Sequence, residues 1–322
     1  MIIFWEEKEI KDCRTLMLAV VVLRLLQSGV SVDAWGADGH HATCLLAEPL
    51  LAPATLKAVR SLLPEYAKGS LASLCTWPDD IKWQHQWRWT SPLHYIDTPD
   101  FLCRYNYLRD CHNEYGDKDM CVSGAINNFT SQLTSFQLPL DLAAPYLMTK
   151  HDHPNHYNLT EAILFLAHFV GDIHQPLHVG FTSDAGGNTI SVHWYKRKYN
   201  LHHIWDSELI NTAKQRFYNS SLSVMVDAIL LKIGGKWVGE TKSWGACANH
   251  GISCPDVYAA ESISLACKYA YRNATPGSRL ADEYFLSRLP IVERRLAQGG
   301  VRLAFILNRL FAQTSDSLIN QK

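Results

Sequence analysis

The chain has 322 residues, 47% of them hydrophobic, enough for a sizeable core in one large domain or two small ones. Thirty Lys and Arg stand against 31 Asp and Glu, a formal net charge of −1, which excludes a broad basic surface as the means of holding a polyanion. Fifteen histidines and ten tryptophans are an unusual load, and the histidine excess hints at metal.

Residues 1–34 read as a leader rather than as folded protein. Leu16–Leu26 is an apolar run of 11 residues interrupted by Arg24, too short to span a membrane. Val32-Asp33-Ala34 then offers the small-x-small pattern that suits signal peptidase, with cleavage before Trp35. The stretch Met1–Arg14 holds more acids than bases, so Met17 is an alternative start, and an N-terminal amphipathic helix is the rival reading. Removing residues 1–34 takes four bases and five acids with it and leaves no net charge. It also removes Cys13 and leaves eight cysteines: Cys44, Cys75, Cys103, Cys111, Cys121, Cys247, Cys254 and Cys267. An even count behind a leader reads as four disulfides in a secretory-pathway protein, with 105 connectivities open. Cys111–Cys121 and Cys247–Cys254 are plausible short clips. Sequons at Asn128, Asn158, Asn219 and Asn273 agree with export as a glycoprotein.

From Trp35 onward helical periodicity dominates. Residues 40–51, 159–171, 222–233, 257–271 and 291–311 carry apolar side chains at i, i+3, i+4 spacing. Thr189–Tyr195, after the Gly186-Gly187-Asn188 turn, is the best strand and predicts a short β-ribbon. The fold class is therefore mainly α, one domain over 35–311, with a tail at 312–322 that is flexible or removed. Arg288–Phe311 is amphipathic and reads as a packed terminal helix rather than a membrane or partner helix.

The stretch 158–178 carries most of the chemistry. Asn158 followed by Glu161 is a capping-box-like helix start. His168 and Asp172 then stand at i and i+4 on one helical face, close enough to share a metal. Pro176 ends that helix and turns His178 away, toward a second ion. A second i, i+4 pair, His202 and Asp206, lies in Leu201–Asp206, with His203 one position round as a bystander. One such pair is ordinarily a solvated or hydrogen-bonded couple; two inside apolar helices would be costly to bury without a cation. Cys75–Lys82 adds Asp79 and Asp80, and Ser91–Asp97 adds His94. At the expected mature start, Trp35–His40 places a histidine five residues from a new amino group, whose pKa near ~8 lets it deprotonate and bind metal. His151, His153 and His156 read as a polar loop, and His41, His85, His112, His193 and His250 fit no ligand spacing.

With WGADGH, TWPD, SPLHYID, HFVGDIHQPLH, GGN and NLHHIWD in this order, the chain resembles the zinc-dependent, single-strand-specific nucleases of fungi and plants, and above all the plant bifunctional nucleases. The resemblance runs from Trp35 to about Phe311. It implies a helical fold around three zinc ions. One would be held by Asp79, His94, His168 and Asp172, a second by the Trp35 amino group and carbonyl with His40 and Asp172, and the third by His178, His202 and Asp206. It implies that the bridged pair, with Asp79 and Asp172, activates a water for in-line attack on phosphorus, and that the third ion stabilises the leaving 3′ oxygen. Single-stranded DNA and RNA would give 5′-phosphate products, 3′-nucleotides would also be substrates, and the enzyme would be an extracellular or vacuolar monomer with no membrane insertion. Tyr95 matches the aromatic that stacks on a base and Asp97 the acceptor at its edge, against plainer readings as a core aromatic and a turn residue. Lys82 and Asn188 read as supports of the ligands or contacts to phosphate, or as simple surface residues. Two rivals remain. A zinc-dependent phospholipase C shares the ligand plan but would want an apolar rim, which the sequence does not suggest; a non-catalytic metal-binding glycoprotein would not need every ligand position.

Overall fold

A computed structural model describes residues 35–136, 157–248 and 251–316, without the side chains of 312–316. Helix α1 (Ala37–Ala47) comes first and gives way at Pro49 to a 3-10 turn, Glu48–Leu50. Helix α2 (Pro53–Leu62) begins on a proline, whose missing N–H is harmless in a first turn. Short α3 (Trp77–Ile81) leads into a 3-10 segment, His85–His94, and α4 (Val122–Leu133) follows.

Helix α5 (Leu159–Asp172) starts as its sequence predicts, with Asn158 Oδ1 accepting from Glu161 N at 3.2 Å. Every residue from Ala162 to Asp172 is buried, so α5 is enclosed on all sides and forms the axis of the core. Helices α1 to α4 pack around it. A 3-10 turn, Pro176–Val179, replaces the helix after Gln175.

The predicted ribbon is present, trimmed to β1 (Ser191–Trp194) and β2 (Arg197–Asn200), antiparallel with Ser191 opposite Asn200. A two-residue strand, β3 (Arg279–Leu280), joins β1 in parallel to give the order β2-β1-β3. The segment after β2 departs from the expected α-helix: Leu201–His203 is one α-turn and Ile204–Glu208 is π-helical. Helices α6 (Leu209–Phe217), α7 (Leu222–Gly234), α8 (Val238–Gly245) and α9 (Pro255–Leu265) complete the middle of the chain. The helix expected over 257–271 passes into a π-turn at Ala266–Ala270.

Terminal helix α10 (Asp282–Asp316) is longer than expected at both ends. Pro290 sits inside it, and the first five residues of the expected tail continue it. Helices α2, α4, α6 and α8 went unanticipated, because glycine and asparagine in stretches such as Val122–Leu133 blur the apolar period. The leader, His151, His153, His156, His250 and residues 317–322 lie outside the described residues.

All eight predicted cysteines pair. The two short clips, Cys111–Cys121 and Cys247–Cys254, form as expected, beside Cys44–Cys75 and Cys103–Cys267. The four sequon asparagines are all exposed.

Helix α10 lies close along α1 because Gly300 lets the backbones approach. A Cβ there would stand 2.5 Å from Leu46 Cβ and 3.1 Å from the Thr43 carbonyl oxygen. Helix propensity alone favours Ala over Gly by about 1 kcal/mol, whereas forcing a methyl into a tight contact costs ~1–3 kcal/mol. Packing wins. Gly300→Ala should lower the thermal unfolding midpoint by a few degrees; a rise would show that α10 and α1 can part freely.

Candidate metal centre

Helix α5 presents His168 and Asp172 to one point in the core, both with no exposed surface. His168 Nε2 lies 3.3 Å from Asp172 Oδ2, the contact that i, i+4 spacing predicts. His94, at the end of its 3-10 segment, adds Nδ1 at 3.0 Å from the same oxygen. From α1, His40 stacks on His168 with ring centroids 3.7 Å apart and sets Nε2 3.2 Å from the other oxygen, Asp172 Oδ1. The two carboxylate oxygens of Asp172 thus face two different sets of nitrogens. Asp79, brought in by α3, places Oδ1 3.5 Å from both His94 Nδ1 and His168 Nε2.

A third set lies beyond the end of α5. His202 Nε2 is 3.3 Å from Asp206 Oδ2, and His178 Nε2 is 3.9 Å from Asp206 Oδ1. The π-helical turn carries Asp206 back onto His202, so the pair meets although the helix is not regular. His203 points elsewhere: its ring stacks on Tyr199, faces Glu208 at 3.6 Å and is partly exposed. Trp35 is buried, and the adjacent Gly36 N–H donates to the Asp206 backbone carbonyl at 2.9 Å.

Three groups among the described residues can therefore hold a metal: His40, His168 and Asp172; Asp79, His94 and His168; His178, His202 and Asp206. Within each, the ligand atoms lie within 4.8 Å of one another.

Hydrogen bonding tests the fit. His178 Nδ1 lies 2.6 Å from the His94 carbonyl oxygen and His202 Nδ1 lies 2.6 Å from that of Gly186, so both Nδ1 atoms donate. Each Nε2 is then an acceptor, and the two face one another at 3.2 Å. Burial holds His202 down to about 3 and His178 below the ordinary imidazole range, which disfavours a proton between them. A cation resolves the opposition. His168 is fixed likewise, donating Nδ1–H to the Cys75 carbonyl at 2.7 Å. Both ring nitrogens of His40, together with His94 Nε2 and Asp172 Oδ1, are buried without a hydrogen-bond partner. Burial opposes charge on His168, yet Asp172 and Asp79 outweigh it and hold that imidazolium up to about 10. Nitrogen and carboxylate oxygen at these separations suit zinc.

The remaining predicted residues surround this core. Lys82 is 3% exposed and donates to Asp79 Oδ1 at 2.7 Å. Asn188 bonds to the Ala185 carbonyl and to Asn200, whose own Oδ1 caps the turn bearing His202. Tyr95 and Asp97 are half-buried, alternating with buried Ile96 and Thr98 on an extended segment that leaves His94. Burial, then the Asp97 and Glu114 carboxylates, pushes the Tyr95 phenol up to about 12, so it stays neutral. Burial, reinforced by Asp184 and opposed by His112, pushes the Asp97 carboxyl up to about 6.

With this geometry in hand, comparison with known proteins places the chain. The model of the S1/P1 nuclease family matches residues 35–312. The chain belongs to that family. It is 54% identical over 293 residues to Endonuclease 4 of Arabidopsis thaliana, covering 91% of this chain and 94% of that protein. Endonuclease 5 of the same plant is 52% identical over 300 residues, at 93% and 97% coverage. Nuclease S1 of Aspergillus oryzae is 29% identical over 314 residues, at 94% and 99%.

Trp83, Trp89, Phe101, Leu102 and Leu108 are exposed, Trp89 in the 3-10 segment and Leu108 in a one-turn helix, Tyr107–Asp110. No helix among the described residues is long and apolar enough to cross a membrane.

Sequence reasoning also passed over residues that support the centre. His174 was assigned no role. It is buried, donates Nδ1–H to the Val170 carbonyl at 2.6 Å and accepts from Arg302 at 2.8 Å. Gln175 donates to Asp206 Oδ1 at 2.6 Å and fixes that carboxylate. A Cβ on Gly171 would stand 2.8 Å from His40 Nδ1, so glycine admits that ring. All three stand inside the HFVGDIHQPLH motif, the one signal that could have flagged them.

Asp172→Asn should remove metal as well as activity, by more than the ~10–100-fold that loss of an outer contact costs. His203→Ala should retain both within about twofold. Metal content and rate measured side by side decide this, and equal damage from the two changes would show that the buried carboxylate is not the shared ligand.

Proposed function

We propose that the chain is a secreted, zinc-dependent endonuclease that hydrolyses single-stranded DNA and RNA to 5′-phosphate products and also acts on 3′-nucleotides. The observation that carries this reading is the opposition of the His178 and His202 Nε2 acceptors at 3.2 Å, with Asp206 beside them and a larger set around Asp172 next door. Family membership supplies the reaction class.

Three zinc ions fit the residues as follows. Asp79, His94, His168 and Asp172 hold one; His40, Asp172 and the Trp35 amino and carbonyl groups hold another; His178, His202 and Asp206 hold the third. When bound, such ions supply Lewis acidity toward phosphate oxygens and lower the pKa of water. The protein's part is positional. Backbone carbonyls of Cys75, His94 and Gly186 fix the tautomers of His168, His178 and His202. Gln175 orients Asp206, and Lys82 holds Asp79. Tyr95 offers its ring to one base and Asp97 accepts at that base's edge, with Asn188 supporting the loop beside them. A base in such a slot must be unpaired, which selects single strands. Lacking net positive charge, the chain attracts phosphate through its ions alone.

The domain runs over 35–311 and the leader 1–34 is removed, because a peptide bond at Trp35 would turn the amino ligand into a non-ligating amide. Chain that retains residues before Trp35 should be inactive until trimmed, as intact mass and activity together will show.

Tyr95→Ala with Asp97→Ala tests the substrate class. The double variant should keep its zinc and its hydrolysis of a small phosphodiester without a base, while cleavage of single-stranded oligonucleotides weakens about tenfold or more. A parallel fall on both substrates would make the pair structural. Failure of the wild type to cleave single strands in the presence of zinc would refute the nuclease reading.

A further inference from the structure

We propose that Phe101 is a second stacking platform for an unpaired base, backed by Phe181 and reached along the strand from the Tyr95–Asp97 slot. This inference rests on the nuclease reading above.

Two extended segments leave the metal centre side by side. One follows His94 and the other follows His178. Ile96 N–H donates to the His178 carbonyl at 2.8 Å, Thr98 N–H to that of Gly180 at 2.9 Å, and Thr182 N–H returns to the Thr98 carbonyl at 2.9 Å. Thr98 and Phe181 form a parallel bridge. Along this track lie first Tyr95, then Asp97, then Phe101. Phe101 is four residues past Asp97, at most about 14 Å further along the backbone. A strand that holds one base in the slot and follows these paired segments past Thr98 would then meet Phe101 at the turn with a flanking nucleotide.

Phe101 has two properties that folding does not explain. Its side chain is 88% exposed, so it contributes almost nothing to the core. Its backbone is left-handed, with φ at 61°, a conformation that glycine or asparagine would adopt at lower cost. An outlier of this kind points to a role for the side chain itself.

The turn is also held rigid. Leu102 N–H closes it onto the Pro99 carbonyl at 3.0 Å, Asp100 accepts from Ser183 N–H at 3.0 Å, and Cys103–Cys267 ties down its far end. The ring lies 5.9 Å from Phe181, which stacks on Tyr271 at 4.5 Å and 10°. An exposed ring on a held turn, tilted at 49° against Phe181, suits base stacking, because little ordering remains to be done on binding.

Phe101→Ala, Phe101→Gly and Phe101→Trp in the mature zinc-loaded enzyme test the proposal, with a dozen-residue single-stranded oligonucleotide and a dinucleotide as substrates. KM for the oligonucleotide should rise about tenfold in the Ala and Gly variants and return to the wild-type value in Trp. The turnover number, zinc content and dinucleotide KM should hold. The Gly variant should unfold at the same temperature as wild type or higher, since it relieves the backbone. An unchanged oligonucleotide KM, an equal loss on both substrates, or a change confined to self-association in light scattering would each overturn the platform and leave the nuclease reading standing. Wild type that cleaves neither substrate would overturn both.

Discussion

Everything in this fold answers to one constraint: the carboxylate of Asp172 is buried completely among imidazoles that cannot all be protonated. Taking an ion out of water costs several kcal/mol even after relaxation, and an unpartnered buried nitrogen adds more. Asp172 meets His94 and His168 at one oxygen and His40 at the other. Cations held between these atoms would turn a cost into a source of stability, and would belong to the folded state as much as to the chemistry.

The surroundings fall into place from there. Helix α5 must be enclosed to hold Asp172 dry, and α1 must come close enough for His40, which requires glycine at position 171. The Cys44–Cys75 disulfide joins α1 to the segment whose Cys75 carbonyl orients His168. Behind α5, Arg295 donates to the His174 carbonyl and to Ser262, while Arg302 and Glu261 complete a buried ionic network against the same corner. The arginines of α10 thus brace the place where α5 stops and His178 begins.

Much of this was legible in the residues. The i, i+4 pairs 168/172 and 202/206 meet as their spacing requires, and His203 faces outward as its one-position offset implies. The Asn158 cap and the ribbon after Gly186-Gly187-Asn188 also appear where local chemistry puts them. What the sequence hid was long-range or irregular. The π-helical turn at Ile204–Glu208 leaves no periodic mark, and nothing local says that Arg295 and Arg302 are buried. Exposed Phe101 escaped for a related reason: a turn residue has no period, and its exposure and positive φ show only in the structure.

In the proposed function, strand selectivity divides between two parts of one track: the metal centre would handle phosphate, which every nucleic acid offers, and the Tyr95–Asp97 segment would handle bases, which only unpaired strands present freely. The account depends first on the ions. Native mass spectrometry of the chain beginning at Trp35, with thermal unfolding recorded before and after chelation, tests it most directly. The account predicts three zinc ions per chain, two of them lost together in Asp172→Asn, and a marked fall in unfolding temperature on chelation. A chain that folds equally well without metal, or that retains all its zinc when Asp172 is neutralised, would contradict it.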